Sequence, residues 1–106
     1  EVQAVRKILA AESRNLRSKG TEVGIPKLGV MVEVPSAVLM ADEFAEEADF
    51  LCLGTNDLIQ YLLAADRDNE SVSEWYRTLH PAVVRAVRKV IQAAAKWPAR
   101  RIMYRF

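Results

Sequence analysis

The chain has 106 residues, of which 51% are apolar and 27% charged, and its formal net charge is +1 at pH 7. This is ordinary globular composition, which excludes a disordered chain. Positive and negative residues are interleaved and form no basic face, so nucleic acid is not an expected partner. No apolar run approaches the roughly 20 residues of a membrane helix. A single cysteine, Cys52, excludes an internal disulfide and is typical of a reducing compartment. We therefore expect a soluble, cytoplasmic chain that makes no membrane contact.

The first twenty residues have the pattern of one amphipathic helix. Apolar side chains recur there at spacings of three, four and seven, and Gly20 is a typical helix stop. A loop with a glycine and a proline follows over residues 21–27. The next run, 28–34, is almost continuously apolar and predicts a strand buried on both faces, as in a parallel sheet. Pro35 should end this strand, and Ser36 should cap a single helix that continues to about residue 48.

The second half of the chain repeats this alternation. Residues 49–54 predict a second short buried strand, and residues 58–65 predict a brief helix. A polar loop follows over residues 66–73, and Pro81 stands where the first residue of the last amphipathic helix is expected. The order of helices and strands predicts an α/β fold with parallel strands and right-handed crossovers. Because only two strands are evident, the sequence is interpreted as a piece of something larger.

Two acidic positions follow the predicted strands directly. Glu33 comes at the end of the first strand, and Asn56 and Asp57 come at the end of the second. Ligands of parallel α/β proteins gather at the carboxyl ends of strands, and carboxylates that share a cation with a substrate phosphate are a usual Mg²⁺ site. The alternative is structural: Glu33 pairs with a lysine, and Asp57 caps the following helix.

Three other side chains are candidates for a functional role. Arg67 lies after the short helix, where it can fold back to hold a carboxylate or phosphate, although a solvated surface arginine is the alternative. His80 precedes Pro81, which indicates a role in starting the last helix rather than in catalysis. Cys52 lies inside an apolar strand and is interpreted as a small buried thiol. No residue of the chain is therefore predicted to be catalytic.

Three segments together resemble a known family. The run 49–61, continued by residues 64–67, closely resembles the second signature of phosphoenolpyruvate-utilising enzymes, and residues 29–35 resemble the strand motif that precedes it. Residues 79–83 are similar to enzyme I of the bacterial phosphotransferase system, the phosphoenolpyruvate-protein phosphotransferases, in particular. The resemblance covers about residues 1–95.

The resemblance implies a partial (β/α)₈ barrel of two to three βα units over residues 1–95, followed by an unmatched tail over residues 96–106. It implies that Glu33 and Asp57 ligate Mg²⁺, the expected cofactor. It also implies that Asn56 and the backbone near Asp57 contact the phosphate of phosphoenolpyruvate and that Arg67 holds this substrate.

The resemblance also implies the activity of a larger parent enzyme. In this family the phosphoryl group passes to a histidine on a separate domain and then to a small phosphocarrier protein, and the parent is expected to be a homodimer. Relatives carry a Cys-Gly-Glu motif after the last helix, and the tail here does not match it; Cys52 stands where serine is usual. We therefore expect the chain alone to be inactive, with a truncated or frame-shifted end. The alternatives are a phosphoenolpyruvate synthase or pyruvate phosphate dikinase barrel, or a non-catalytic remnant.

Overall fold

The computed structural model describes residues 1–97 and the backbone of residues 101–105. Helices and strands alternate along this part of the chain, which confirms the predicted α/β class. The helices are α1 (Val2–Ser18), α2 (Pro35–Leu39), α3 (Ala41–Glu47), α4 (Thr55–Leu63) and α5 (Pro81–Ala95), with a 3₁₀ turn at Ser73–Trp75. The strands are β1 (Gly29–Val32), β2 (Phe50–Gly54) and β3 (Arg101–Arg105).

The three strands form one parallel sheet in the order β1-β2-β3. In the register, Val32 pairs with Leu53, and Gly54 pairs with Arg105. The third strand corrects the expectation of only two. Its three central residues are apolar or aromatic and suit a strand, and pairing with β2 satisfies backbone groups that an edge would leave open. The rest of the predicted tail, residues 98–100 and 106, lies outside the described residues.

The two faces of the sheet have different environments. Side chains alternate between the faces along each strand, so Val32, Leu51 and Leu53 lie on one face. These three are at most 1% exposed and pack into the main core with residues of α3 and α5. Met31 and Cys52 lie on the opposite face and are both partly exposed, Met31 to 36%. The core of the described residues is therefore on one side of the sheet.

Helix α1 is less integrated than the other helices. Ser13 is its one buried residue, and Ile8 is 62% exposed. Arg6 joins the helix to the residues before β2, since it donates to the carboxylate of Asp49 at 3.1 Å and to the backbone oxygen of Glu47 at 2.8 Å. The radius of gyration is 17.0 Å, against about 13 Å for a compact domain of this length. Among the helices that the structure describes, none combines the length and the apolar character needed to cross a membrane.

The helix after β1 differs from the predicted one in two respects. It begins at Pro35 and not after Ser36, and its N-cap is Val34, whose backbone is extended. Proline suits the first helical position because its missing N–H would have no partner there. The predicted single helix is also divided at Met40, where the backbone leaves the helical region (φ −93°, ψ 16°). The break lets α3 turn Ala41 and Ala45 fully into the core.

Candidate ligand site at the carboxyl ends of the strands

The end of β1 and the end of β2 meet at one edge of the sheet. Because Val32 pairs with Leu53, Glu33 comes beside Gly54. A Cβ atom added to Gly54 would lie 2.7 Å from Oε2 of Glu33 and 2.8 Å from its Cβ. The missing side chain of Gly54 therefore leaves the space that the Glu33 carboxylate fills. A larger residue there would push the carboxylate out of the rim.

The Glu33 side chain is half-buried and makes no hydrogen bond or ion pair with any residue that the structure describes. The alternative of a lysine partner is therefore not found within residues 1–97. A carboxylate that is partly removed from water without a partner costs free energy, which a bound cation would offset. The position and the missing partner both suit a cation ligand.

Helix α4 begins directly after Gly54, at Thr55, three residues earlier than predicted. Asn56 and Asp57 therefore belong to the first turn of α4. The alternative that Asp57 is the N-cap of this helix is wrong, because the N-cap is Gly54. The first N–H groups of a helix lack internal partners and carry a partial positive charge, which suits an anion such as phosphate.

The hydroxyl of Tyr76 lies over the same turn. It is 3.4 Å from Oδ1 of Asn56 and 3.5 Å from the backbone oxygen of Asn56. Since Oδ1 accepts from the tyrosine, the amide nitrogen of Asn56 is left to donate to another group. Tyr76 therefore orients the Asn56 amide as a donor, which is the role needed to bind a phosphate oxygen.

Asp57 is connected to the loop that carries Arg67. Nε2 of Gln60 donates to Oδ1 of Asp57 at 3.3 Å, and Oε1 of Gln60 accepts from the backbone N–H of Arg67 at 3.2 Å. The loop reaches this position because Ala64 ends α4 in the left-handed conformation, with φ 50°. The Arg67 guanidinium is exposed and lies 3.7 Å from Oδ1 of Asp68. It contacts neither Glu33 nor Asp57 within the described residues.

A model of the domain described as "PEP-utilising enzyme, PEP-binding domain" matches residues 1–100. This chain is a member of that family. It is 48% identical over 97 residues to a phosphoenolpyruvate-protein phosphotransferase of Listeria monocytogenes, covering 91% of this chain and 17% of that protein. Proteins of the same name from Streptococcus equinus and Lactococcus lactis are 45% and 46% identical over 101 and 102 residues, each covering 92% of this chain and 18% of the relative.

The matches confirm the resemblance to the phosphoenolpyruvate-utilising family and to the phosphoenolpyruvate-protein phosphotransferases within it. The chain spans less than a fifth of the length of these relatives. Two of the three segments that carried the resemblance lie in β1 and the start of α2, and in β2, α4 and the loop after α4, whereas residues 79–83 lie at the start of α5. The family signature therefore coincides with the rim at which Glu33, Asn56 and Asp57 lie.

The donors at this rim fit Mg²⁺ better than a soft metal. Within residues 1–97 no group of three or more His, Cys, Asp or Glu side chains is arranged to hold a metal ion. Mg²⁺ is commonly bound by one or two carboxylates, with water and substrate phosphate filling the other positions. Glu33, which lies against Gly54, and Asp57, in the first turn of α4, are two carboxylates that follow neighbouring strands, which is the kind of donor that Mg²⁺ prefers.

His80 is placed as the sequence indicated, whereas Cys52 is less buried than predicted because it lies on the sheet face that α3 and α5 do not cover. His80 is the N-cap of α5, and its Nδ1 accepts from the backbone N–H of Ala82 at 3.2 Å, so the prediction that it helps to start the helix is confirmed. Cys52 is half-buried within β2, next to Met31 in the register.

Sequence reasoning missed the roles of Gly54, Gln60 and Tyr76. A signal existed for Gln60, because a residue three positions after Asp57 in a helix lies on the same face. The contact of Tyr76 joins residues 20 positions apart across an irregular loop, and no pattern in the sequence indicates it.

Proposed function

We propose that this chain forms part of the phosphoenolpyruvate- and Mg²⁺-binding (β/α)₈ barrel of a phosphoenolpyruvate-protein phosphotransferase. Such an enzyme transfers phosphoryl from phosphoenolpyruvate to its own histidine and then to a phosphocarrier protein. The observation that carries the proposal is the half-buried Glu33 carboxylate, which has no partner within residues 1–97 and lies against Gly54 at the start of α4. Family membership indicates the substrate, and the geometry at Gly54 supports Glu33 as a ligand-binding residue.

The two faces of the sheet support the barrel. Parallel sheets are normally covered on both faces, and a barrel covers the outer face with helices and the inner face with side chains of the other strands. Here α3 and α5 cover the face that carries Val32 and Leu53. The partly exposed face carries Met31, and the Glu33 side chain lies on that same face, two residues further along. We assign it as the inner face, with Glu33 at the carboxyl rim where barrel active sites lie.

Each residue of the rim has a role in binding. Glu33 and Asp57 would hold Mg²⁺, and the Asn56 amide and the first N–H groups of α4 would donate to the substrate phosphate. Arg67 would hold phosphoenolpyruvate through its guanidinium, after that side chain leaves Asp68. When bound, Mg²⁺ would neutralise charge on the phosphate and on the enolate left after transfer. The chain itself positions the donor for an acceptor outside these residues.

For a protein of the relatives' full length, we also propose an acceptor histidine on a separate domain and a phosphocarrier protein as partner. We propose that this protein is a homodimer and is cytoplasmic. We expect the 106-residue chain to bind phosphoenolpyruvate rather than to turn it over. The named relatives are phosphotransferases, which favours this branch over a phosphoenolpyruvate synthase or pyruvate phosphate dikinase.

Calorimetry of the chain with phosphoenolpyruvate, with and without Mg²⁺, tests the proposal. The double variant Glu33→Gln, Asp57→Asn should abolish the Mg²⁺-dependent heat. The matched control is Glu22→Gln, Glu46→Gln, which removes the same charge from two exposed positions away from the rim and should leave the heat unchanged.

Equal loss in both double variants would show that net charge, and not this site, attracts the ligand. No heat from the folded wild-type chain would contradict the binding function and favour the non-catalytic remnant. Circular dichroism of each variant confirms that it is folded.

A further inference from the structure

We propose that Gln60 is a positioning residue that couples the metal ligand Asp57 to the substrate-holding loop of Arg67. This inference rests on the proposed function, because it assigns a role within that site. Its basis is the pair of hydrogen bonds that the Gln60 side chain makes, one to each residue.

The direction of both bonds is set by chemistry. A carboxylate can only accept and a backbone N–H can only donate, so Asp57 requires the NH₂ group of Gln60 and Arg67 requires its carbonyl oxygen. Turning the amide over would oppose acceptor to acceptor and donor to donor. Glutamine thus satisfies both neighbours in one orientation, whereas glutamate or methionine cannot.

The link has a consequence for Asp57. Oδ1 of Asp57 accepts from Gln60, and Oδ2 makes no hydrogen bond to any residue that the structure describes. Gln60 therefore restrains the carboxylate in a rotamer that offers one oxygen to a cation. The same amide holds the backbone of Arg67 beside α4 although this loop is otherwise exposed. Binding of the metal at Asp57 and closure of Arg67 on the substrate should accordingly favour each other.

Gln60→Met tests this role, because it keeps the length of the side chain and removes both hydrogen bonds. The control is Gln92→Met, the same change at an exposed position on α5. The decisive readout is the coupling between ligands, measured as the ratio of the phosphoenolpyruvate dissociation constants without and with Mg²⁺. We expect this ratio to fall about three- to tenfold in Gln60→Met, the worth of one or two exposed hydrogen bonds, and to stay unchanged in Gln92→Met. A change in stability alone would not alter this ratio in the folded protein.

Hydrogen exchange of the Arg67 amide gives a readout that needs no ligand. Exchange should accelerate about three- to tenfold in Gln60→Met. Gln60→Glu keeps an acceptor for the Arg67 N–H, so it should retain the protection seen in the wild type.

The outcomes separate the inference from the proposed function. Unchanged Arg67 exchange in Gln60→Met overturns the link, and faster exchange with an unchanged coupling ratio reduces Gln60 to a structural residue. Wild-type protein that binds phosphoenolpyruvate equally with and without Mg²⁺, or not at all, overturns the proposed function itself and the coupling role with it.

Discussion

The two ends of the sheet each have a carboxylate next to a strand, and the two carboxylates have opposite surroundings. Asp49, before β2, accepts from Arg6 at 3.1 Å and from the backbone N–H of Leu28 at 2.8 Å. Glu33, after β1, has no partner within the described residues and lies against Gly54. At the amino end, the Asp49 carboxylate therefore has a structural role, because it joins β2 to α1 and to Leu28. At the carboxyl end, the Glu33 carboxylate makes no such contact with the described residues and is available to a ligand. This matches the division of parallel barrels into a stability face and an active face.

The largest effect is expected for Glu33→Gln on ligand binding. Removal of one negative ligand should weaken Mg²⁺-dependent binding of phosphoenolpyruvate by about 100-fold. The free energy of unfolding should stay the same or rise, because a partly buried carboxylate without a partner is replaced by a neutral amide. Titration calorimetry and urea denaturation measure the two quantities. A marked loss of stability would show that Glu33 is structural, like Asp49.

Gly54→Ala should produce the next largest effect. Its Cβ would meet the Glu33 carboxylate and Cβ, and we expect binding to weaken at least about tenfold as the carboxylate is displaced. The matched variant is Gly29→Ala at the amino end of β1, where the new Cβ meets the ring of Phe50. That ring is partly exposed and can move aside, so affinity should be retained. Equal losses of affinity in the two variants would show that the carboxyl end of the sheet is no more important for binding than the amino end.

Asp49→Ala should have the opposite effects to Glu33→Gln, with lower stability and nearly unchanged affinity for phosphoenolpyruvate. The variant removes the carboxylate that accepts from the Leu28 N–H and from the Arg6 guanidinium. We expect the free energy of unfolding to fall by about 1–3 kcal/mol. The ion pair is about one-third exposed on each side, which keeps the effect at the lower end of that range. Urea denaturation measures it, and calorimetry on the folded fraction should show nearly unchanged affinity. A large loss of affinity at full stability would contradict the assignment.

Tyr76→Phe tests whether the tyrosine hydroxyl orients Asn56 at the carboxyl end of the sheet. The variant removes only the hydroxyl that orients the Asn56 amide. The bond is long, so we expect only a two- to threefold loss of phosphoenolpyruvate affinity, roughly the worth of a weak neutral hydrogen bond. Tyr61→Phe is the matched control, since Tyr61 is 64% exposed. Equal affinities of both variants and the wild type would show that Asn56 needs no such orientation.

The smallest effect concerns Asp42, away from both ends. The hydrogen bond from Lys96, at 2.6 Å, holds the pKa of Asp42 below its ordinary value of 3.8. Because the folded pKa is the lower one, this pair contributes stability above pH 3.8 and loses it as the pH falls through the folded pKa. Asp42→Asn should therefore lower the thermal midpoint slightly at pH 7 and not at pH 2. A difference that persists at pH 2 would show that the effect is not due to the charge of Asp42.

Elements were predicted best where one periodicity was clear and worst at their ends. Both predicted strands and the helices at either end of the chain are present, since their patterns are long or uniformly apolar. The break at Met40 and the early start of α4 depend on how the helices meet the sheet, which no local pattern records. The third strand was missed because a strand is stabilised by its partner β2 as much as by its own residues.

The candidate site divides in the same way. The sequence pointed to Glu33, Asn56 and Asp57 through their places after strands, to Arg67 through its place after the short helix, and to all four through the family resemblance. It could not show that Glu33 rests on Gly54 or that Gln60 links Asp57 to Arg67, because these contacts depend on strand register and on the turn at Ala64.

By itself, the sequence determined the α/β class, the parallel arrangement, the family and the residue types of the rim. These depend on local periodicity and on a signature that is continuous along the chain. Only the tertiary structure decided which carboxylate is satisfied and which is not. Asp49 and Glu33 both stand beside apolar strands, and their difference arises from Arg6 and Leu28, distant in sequence, which reach only one end of the sheet.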